Sequence, residues 1–266
     1  MRALKHVFQT VRRESPILHA VVMFHIALVL NCLIGWMFVR RKLVGLKDRV
    51  KPMKFSISGG IYVLTCGFLI TLYPFSRRKK NIVNNIISWT MALEICIVVL
   101  QAARGVRSHY NQSSLFDGIL FGSMGILIGV IVLTMIFFIV ETVRLRLNTP
   151  RAVQWGILIG WLVVLFGSWV GGQMIGQMSH NVGVPDGGEG LPWINWSTIA
   201  GDLRVAHFFG LHGVQIIPLF AVLLTKKWKA SKMAQNSVVI LFGLLYASWI
   251  AFTFYQAKQG MPLVNI

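Results

Sequence analysis

A chain of 266 residues that is 55% hydrophobic and only 13% charged, with apolar runs of about eighteen residues or more, is excluded from the water-soluble class, because such runs are what a helix needs to cross a hydrocarbon core. The formal net charge of +18 does not mark a nucleic-acid-binding protein, since Lys and Arg cluster at the ends of the apolar runs, where they anchor to anionic lipid and set orientation. The expected fold class is all-α: a polytopic transmembrane helical bundle of about seven spans, forming a single integral membrane domain over residues 1–266.

The first predicted span covers residues 17–39. A basic start before an apolar run resembles a signal peptide, but this run is too long and ends in Arg40, Arg41 and Lys42 without a small-residue cleavage site. It carries His19 near one interface and His25 deeper. His25 is placed to pair with Glu94, to ligate a haem, or to bond a neighbouring carbonyl. The basic stretch from Arg40 to Lys54 reads as a loop containing Lys51 and Lys54, and the second span follows at 57–75.

The third span, 83–103, holds Glu94 near its middle. At 100° per residue Gln101 falls about 20° from Glu94 and Arg104 about 60° beyond, so the three form one polar stripe running to the surface. An ionisable group at that depth is a functional candidate, the alternative being a protonated or paired carboxyl that locks helix packing. Arg104, Arg107, His109 and Asn111 cluster where this span ends, and Arg forks match carboxylate and phosphate.

The fourth span (115–142) carries Gly118, Gly122, Gly125 and Gly129, and the fifth (152–176) carries Gly156, Gly160, Gly167, Gly171, Gly172 and Gly176. Small residues at this spacing predict close helix packing along both. Trp36, Trp155 and Trp228 suit interfacial anchoring, and Trp193 and Trp196 are expected to do the same from a loop. Cys32, Cys66 and Cys96 read as small buried hydrophobes.

Residues 177–202, rich in Gly, Pro and Asn, read as an ordered loop or lid. Asp186 and Glu189 are expected in exposed ion pairs, His180 receives no role, and Asp202 is expected to cap the next helix. The sixth span (203–225) holds Arg204, His207, His212 and Gln215, which hydrocarbon disfavours. On one regular helix Arg204 and Gln215 align within about 20°, while His207 and His212 stand about 140° apart and cannot share a metal without a kink near Gly210. By rise only His212 approaches the depth of Glu94, and these two are expected to pair. The last span is 237–257.

With the N-terminus inside, fifteen Lys and Arg fall on the cytoplasmic side and ten, besides Arg204, on the other. The expected topology is N-in and C-out, with the basic Arg40 to Lys54 stretch as its misfit.

At VKPMKFSIS from Val50, LQAARGVRSHYN from Leu100 and AGDLRVAHFFGLHGVQ from Ala200, the chain resembles a group of uncharacterised bacterial multi-spanning membrane proteins. The resemblance implies a bacterial inner-membrane protein in which Lys51, Lys54, Arg104, His109, Asn111, Asp202, Arg204, His207 and His212 belong to one constellation.

Two functions of different class follow. In the first, a polar site opening to the extracytoplasmic face binds or transports a small anionic molecule or lipid headgroup with proton coupling. Its ligand-binding residues are Lys51, Lys54, Arg104, Arg107, His109, Asn111, Asp202, Arg204 and His207, with Glu94, Gln101, His212 and Gln215 as proton relay or buried polar site. In the second, a membrane-embedded metal- or haem-dependent enzyme uses His25, His109, His207 and His212. The first is favoured because the chain supplies more cations than aligned ligand pairs. HExxH, CxxCH, P-loop, GxSxG and GxGxxG motifs are all missing, so no cofactor or metal is assigned. The expected partner is the lipid bilayer, not nucleic acid. In a cysteine-free background, Ser113→Cys is expected to react with an impermeant thiol reagent added from outside and Ser231→Cys only after the membrane is opened. The reverse pattern would invert the topology.

Overall fold

The computed structural model describes residues 2–38, 42–43, 46–47, 50–188 and 190–265. Arg40, Arg41 and Glu189, part of the basic misfit and of the expected ion pairs, lie outside the described residues, as do Val39 and the side chain of Trp36.

The described chain is helical nearly throughout: α1 (Arg2–Glu14), α2 (Pro16–Phe38), α3 (Val50–Leu69, running on into a 3-10 turn at Ile70–Leu72), α4 (Arg77–Arg104), α5 (Leu115–Arg144), α6 (Arg151–Gly176), α7 (Leu203–Leu211), α8 (Gly213–Lys227) and α9 (Lys232–Lys258). Four two-residue strands form two antiparallel pairs: β1 (Lys42–Leu43) with β2 (Leu46–Lys47), and β3 (Asn181–Val182) with β4 (Gly201–Asp202). Helices dominate because hydrocarbon offers no partner to a backbone N–H or C=O, so each apolar segment must satisfy its own. Six helices are long and apolar enough to cross a membrane, and α7 with α8 makes a seventh candidate, bent by 46°. The chain is an integral, multi-pass membrane protein.

Two differences from the sequence reading concern span ends. The second span starts at Val50, so Lys51 and Lys54 stand in the first turns of α3 and not in a loop. Pro52 is tolerated there because first-turn amides have no intrahelical acceptor. The sixth span is not one regular helix. It breaks at His212, whose backbone (φ −87°, ψ 0°) leaves the helical region, so the angular separation of His207 and His212 on a straight helix no longer applies.

The helices form two compact units, Met1–Thr134 and Met135–Ile266. In the first, α2 packs on α3 and α4 while α1 lies against α2 and α3. Val11, the fully buried residue of the otherwise basic α1, fits beside Gly67, where a Cβ would lie 2.8 Å from its Cγ1. Asn84 of α4 donates to Ser15 at the bend between α1 and α2 (3.0 Å). Further along the same two helices, Leu28 packs against Ile95, Val98 and Met124.

In the second unit α6 is the central helix, contacting α7, α8 and α9. Four of its six glycines behave as their spacing predicts, while a Cβ on Gly172 or Gly176 would meet nothing within 4 Å. A Cβ on Gly156 would sit 3.0 Å from the Ala221 Cβ, one on Gly160 3.0 Å from the Val214 Cα, and one on Gly167 2.8 Å from the Gly210 backbone. The break in the sixth span lies in this contact, since Gly210 and Gly213 let the chain turn against α6 without side-chain collision. Tyr246 of α9 donates to the Phe209 carbonyl just before the break (2.8 Å). Gln154 staples the turn between α5 and α6, donating to the Thr142 and Leu145 carbonyls (2.8 and 2.7 Å) and accepting from the Leu147 amide (3.3 Å).

The glycines of α5 overturn their expectation. A Cβ on Gly118, Gly122, Gly125 or Gly129 would meet nothing within 4 Å, so this stripe packs on no described part of the chain. Cys96 is likewise exposed, unlike the buried Cys32 and Cys66, because it falls on the outward side of α4. Gly167→Ala is therefore expected to destabilise the protein by about 1–3 kcal/mol. Gly122→Ala is expected to be neutral or stabilising by up to about 1 kcal/mol. Thermal unfolding in detergent, followed by tryptophan fluorescence, compares the two; equal effects would remove the distinction between the stripes.

Candidate functional site

In the first unit, the start of α3 and the turn after α4 bring two predicted residues together. The Lys51 Nζ stands 3.4 Å from His109 Nδ1, and the Ser108 hydroxyl 2.9 Å from the same nitrogen. An ammonium can only donate, so Nδ1 accepts and the imidazole is neutral with its proton on Nε2. Phe55 packs edge-on to His109 (5.2 Å between centroids) beneath Lys51. The N-terminus of α3 adds positive potential at this point.

Arg104 is engaged differently. With Gln101, it converges on Asp117, a residue the sequence reading passed over. Gln101 Nε2 donates to Asp117 Oδ1 (2.9 Å), and Arg104 Nη1 donates both to that oxygen and to Gln101 Oε1 (2.5 Å each). The Phe116 ring lies under the guanidinium at 4.8 Å. Ser114 and Asp117 form a reciprocal cap at the start of α5: the Asp117 amide donates to Ser114 Oγ (3.2 Å), and that hydroxyl donates to Asp117 Oδ2 (2.7 Å). The Ser-x-x-Asp spacing before an apolar run was the available signal. Asn111 Oδ1 accepts from the Ser113 amide and hydroxyl, shaping the same turn. The lower part of the stripe is different again: Glu94 is buried, and its Oε2 has no hydrogen-bond partner.

In the second unit Asp202 is the hub. It caps α7 through the Arg204 amide (3.0 Å), as its position predicts. It also accepts from the Ser197 amide (2.9 Å) and from Arg204 Nε and Nη2 (2.9 and 2.6 Å to different oxygens). Arg204 Nη2 further donates to the Asn195 carbonyl. The guanidinium therefore ties the 190–202 segment onto the start of α7 in a bidentate pair. Trp196 is seated on Phe208 and Phe209 (5.6 and 6.0 Å), an inward packing role in place of the expected interfacial anchoring, while Trp193 is exposed. His207 Nδ1 donates to the Gly167 carbonyl (2.7 Å), with its ring in the groove beside Gly171. His212, at the break, hydrogen-bonds the Gln215 side chain and packs on Phe208 (4.5 Å). Glu94 belongs to the first unit and His212 to the second, so each is described in its own surroundings.

The chain matches no protein-family model, no curated protein and no solved structure. Chemistry must therefore be read from the residues themselves. Among the described residues no three His, Cys, Asp or Glu side chains converge as metal ligands. Arg104 and Arg204 are each matched by a carboxylate, whereas Lys51 meets an imidazole.

Asp186 and His180 also depart from expectation. The Asp186 side chain is only 8% exposed, so it is no surface charge. Its Oδ1 accepts from the Ser179 hydroxyl (2.7 Å) and from the His180 and Asn181 amides (3.2 and 3.0 Å), with His180 Nδ1 at 3.2 Å. Burial pushes its pKa up, but these donors and the imidazole outweigh that and hold it below the ordinary carboxylate value. Burial, aided by Arg204, lowers His180 below 6.5. Both folded values are depressed, so both groups stabilise the loop above their ordinary values and lose that contribution as pH falls. Exchange of the His180 and Asn181 amides, corrected for intrinsic rate, is expected to accelerate in two steps: below about pH 6.5, then through the acid range as Asp186 is protonated. Asp186→Asn is expected to abolish the second step. A pH-independent protection factor would contradict the assignment.

Proposed function

We propose that the protein binds or transports a small anion, or the anionic headgroup of a lipid, at the extracytoplasmic face of a bacterial inner membrane, with proton coupling. The observation that carries this reading is the meeting of Lys51 with His109 at the N-terminus of α3. An ammonium beside an imidazole Nε2–H at the N-terminus of a helix supplies donors and positive potential, which suits phosphate or carboxylate. Lys54 and Arg107 lie near in sequence and add positive charge. Arg104 is held by Asp117 in the first unit and Arg204 by Asp202 in the second. With N-in topology this end faces outside, and the basic stretch at residues 40–54 becomes a recruiting surface, no longer an exception to the charge rule. Glu94, buried in the first unit, is the proton-handling group of the same proposal.

Calorimetric titration of the purified protein in phosphatidylcholine nanodiscs with inorganic phosphate tests it. Saturable binding weakened tenfold or more by Lys51→Ala, and left unchanged by Lys232→Ala, is the expected result. Binding of short-chain phosphatidylglycerol but not of phosphate would assign the headgroup as the ligand, and binding of neither would sink the reading.

A further inference from the structure

In the first unit, α2, α3 and α4 enclose polar atoms that hydrocarbon cannot satisfy. His25 Nε2, Ser56 Oγ, Ser88 Oγ and Glu94 Oε2 are buried without a hydrogen-bond partner, on residues only 1%, 1%, 1% and 6% exposed. They come from three different helices, and the helix contacts show how they are placed.

The Asn84–Ser15 hydrogen bond sets the level of α4 against α2. Both helices run onward from it, and Leu28 against Ile95 and Val98 keeps the same offset higher up. His25 lies ten residues beyond Ser15 and Glu94 ten beyond Asn84, so both stand about 15 Å along from that bond, at one depth. Because side chains of parallel helices lean the same way, toward their N-termini, the two groups stay level. Helix α3 runs antiparallel to α2, with Gly67 facing Leu18 and Gly59 facing His25. A Cβ on Gly59 would lie 2.9 Å from His25 Nε2 and 3.3 Å from Met91 Cε, so the imidazole reaches across to α3 at the point where Met91, one turn before Glu94, also arrives. Ser56 lies one turn from Gly59 and, because α3 is antiparallel, on the Glu94 side of this contact, whereas Ser88 lies one turn before Met91, on the opposite side.

The tautomer of His25 follows from its other nitrogen. Nδ1 lies 2.9 Å from the Val21 carbonyl, which can only accept, so Nδ1 carries a proton and Nε2 of the neutral ring presents a lone pair. A protonated Glu94 is the complementary donor.

We propose that His25 and Glu94 form a buried proton-exchange pair bridged by water, with the Ser56 hydroxyl completing the water's hydrogen bonds. A proton leaving Glu94 Oε2 passes through the water to His25 Nε2. The neutral acid and neutral imidazole become carboxylate and imidazolium, with no change in net charge. Buried water with two to four polar partners is an ordinary structural component, and this hydroxyl and the two titratable groups supply them. The other titratable side chains on the enclosing helices are His19, which packs on Phe8; Cys32, which is buried; Tyr62 and Cys66, which interact with each other; Cys96, which faces outward; and the cations near the helix ends, Lys51 and Lys54 on α3 and Arg77, Arg78, Lys79, Lys80 and Arg104 on α4. Glu94 is the one carboxylate on these three helices. This assignment deepens the proton-coupled reading above and rests on it for its role, but it is tested without any anion.

The test is infrared difference spectroscopy of the full protein in lipid nanodiscs during a pH titration, following the carboxylic-acid C=O stretch. A titrating band that Glu94→Gln removes is expected, and His25→Gln is expected to move its midpoint by at least one pH unit, a tenfold change in proton affinity. Gly59→Ala, which crowds the imidazole and leaves both titratable groups in place, is expected to move it too and keeps the test decisive if His25→Gln does not fold. A band insensitive to both variants, or no band lost in Glu94→Gln, overturns the assignment. Phosphate binding with an uncoupled band would sink this pair and spare the anion reading; a coupled band in protein that binds no phosphate would do the reverse.

Discussion

Hydrocarbon gives a polar group nothing to bond to, and the architecture follows from how this chain meets that demand. The backbone meets it by forming helices. Hydroxyl side chains within the spans meet it by bonding the preceding turn: Thr65 to the Ile61 carbonyl, Thr134 to Val130, Thr142 to Phe138 and Ser168 to Val164. Where a helix must stop, a side chain takes over the liberated groups, as Gln154 does between α5 and α6 and Asp202 does before α7. Most of the polar residues flagged by composition alone are absorbed by this requirement.

The same demand separates groups that hold the fold from groups left for chemistry. Arg104 and Arg204 look alike in the sequence as cations at helix ends, and each ends in a charge-assisted pair with an aspartate close by in the chain. His207, the most conspicuous histidine of the sixth span, is a packing pin between α7 and the glycines of α6. Glu94 and His25 stand apart because Glu94 Oε2 and His25 Nε2 are buried without a hydrogen-bond partner.

Six of the seven spans, the polar character of the third and sixth, and the Asp202 cap were legible because each rests on local spacing. The start of α3 was obscured because Lys51 and Lys54 lower the local hydropathy, although Pro52 is a helix-start residue. Asp117 was overlooked behind a capping pattern only four residues long. The folding of residues 177–202 around Asp186 was out of reach, since two-residue strands have no periodicity and the carboxylate's partners are mostly backbone amides. The level of His25 against Glu94 depends on Asn84 meeting Ser15, 69 positions apart. No periodicity within a helix encodes that.

The open glycine stripe of α5 has a further consequence. Each glycine in a helix interior weakens it by about 1 kcal/mol relative to alanine, and at these four positions no packing within the described chain offsets the loss. In water the competing solvent would fray such a segment. In a bilayer the unravelled alternative is worse, because every opened peptide group would be stranded. The helicity of α5 over that stretch is thus a property of its surroundings as much as of its sequence. The lipid acts as the missing structural partner, and the thickness and fluidity of the membrane become part of what keeps this segment folded.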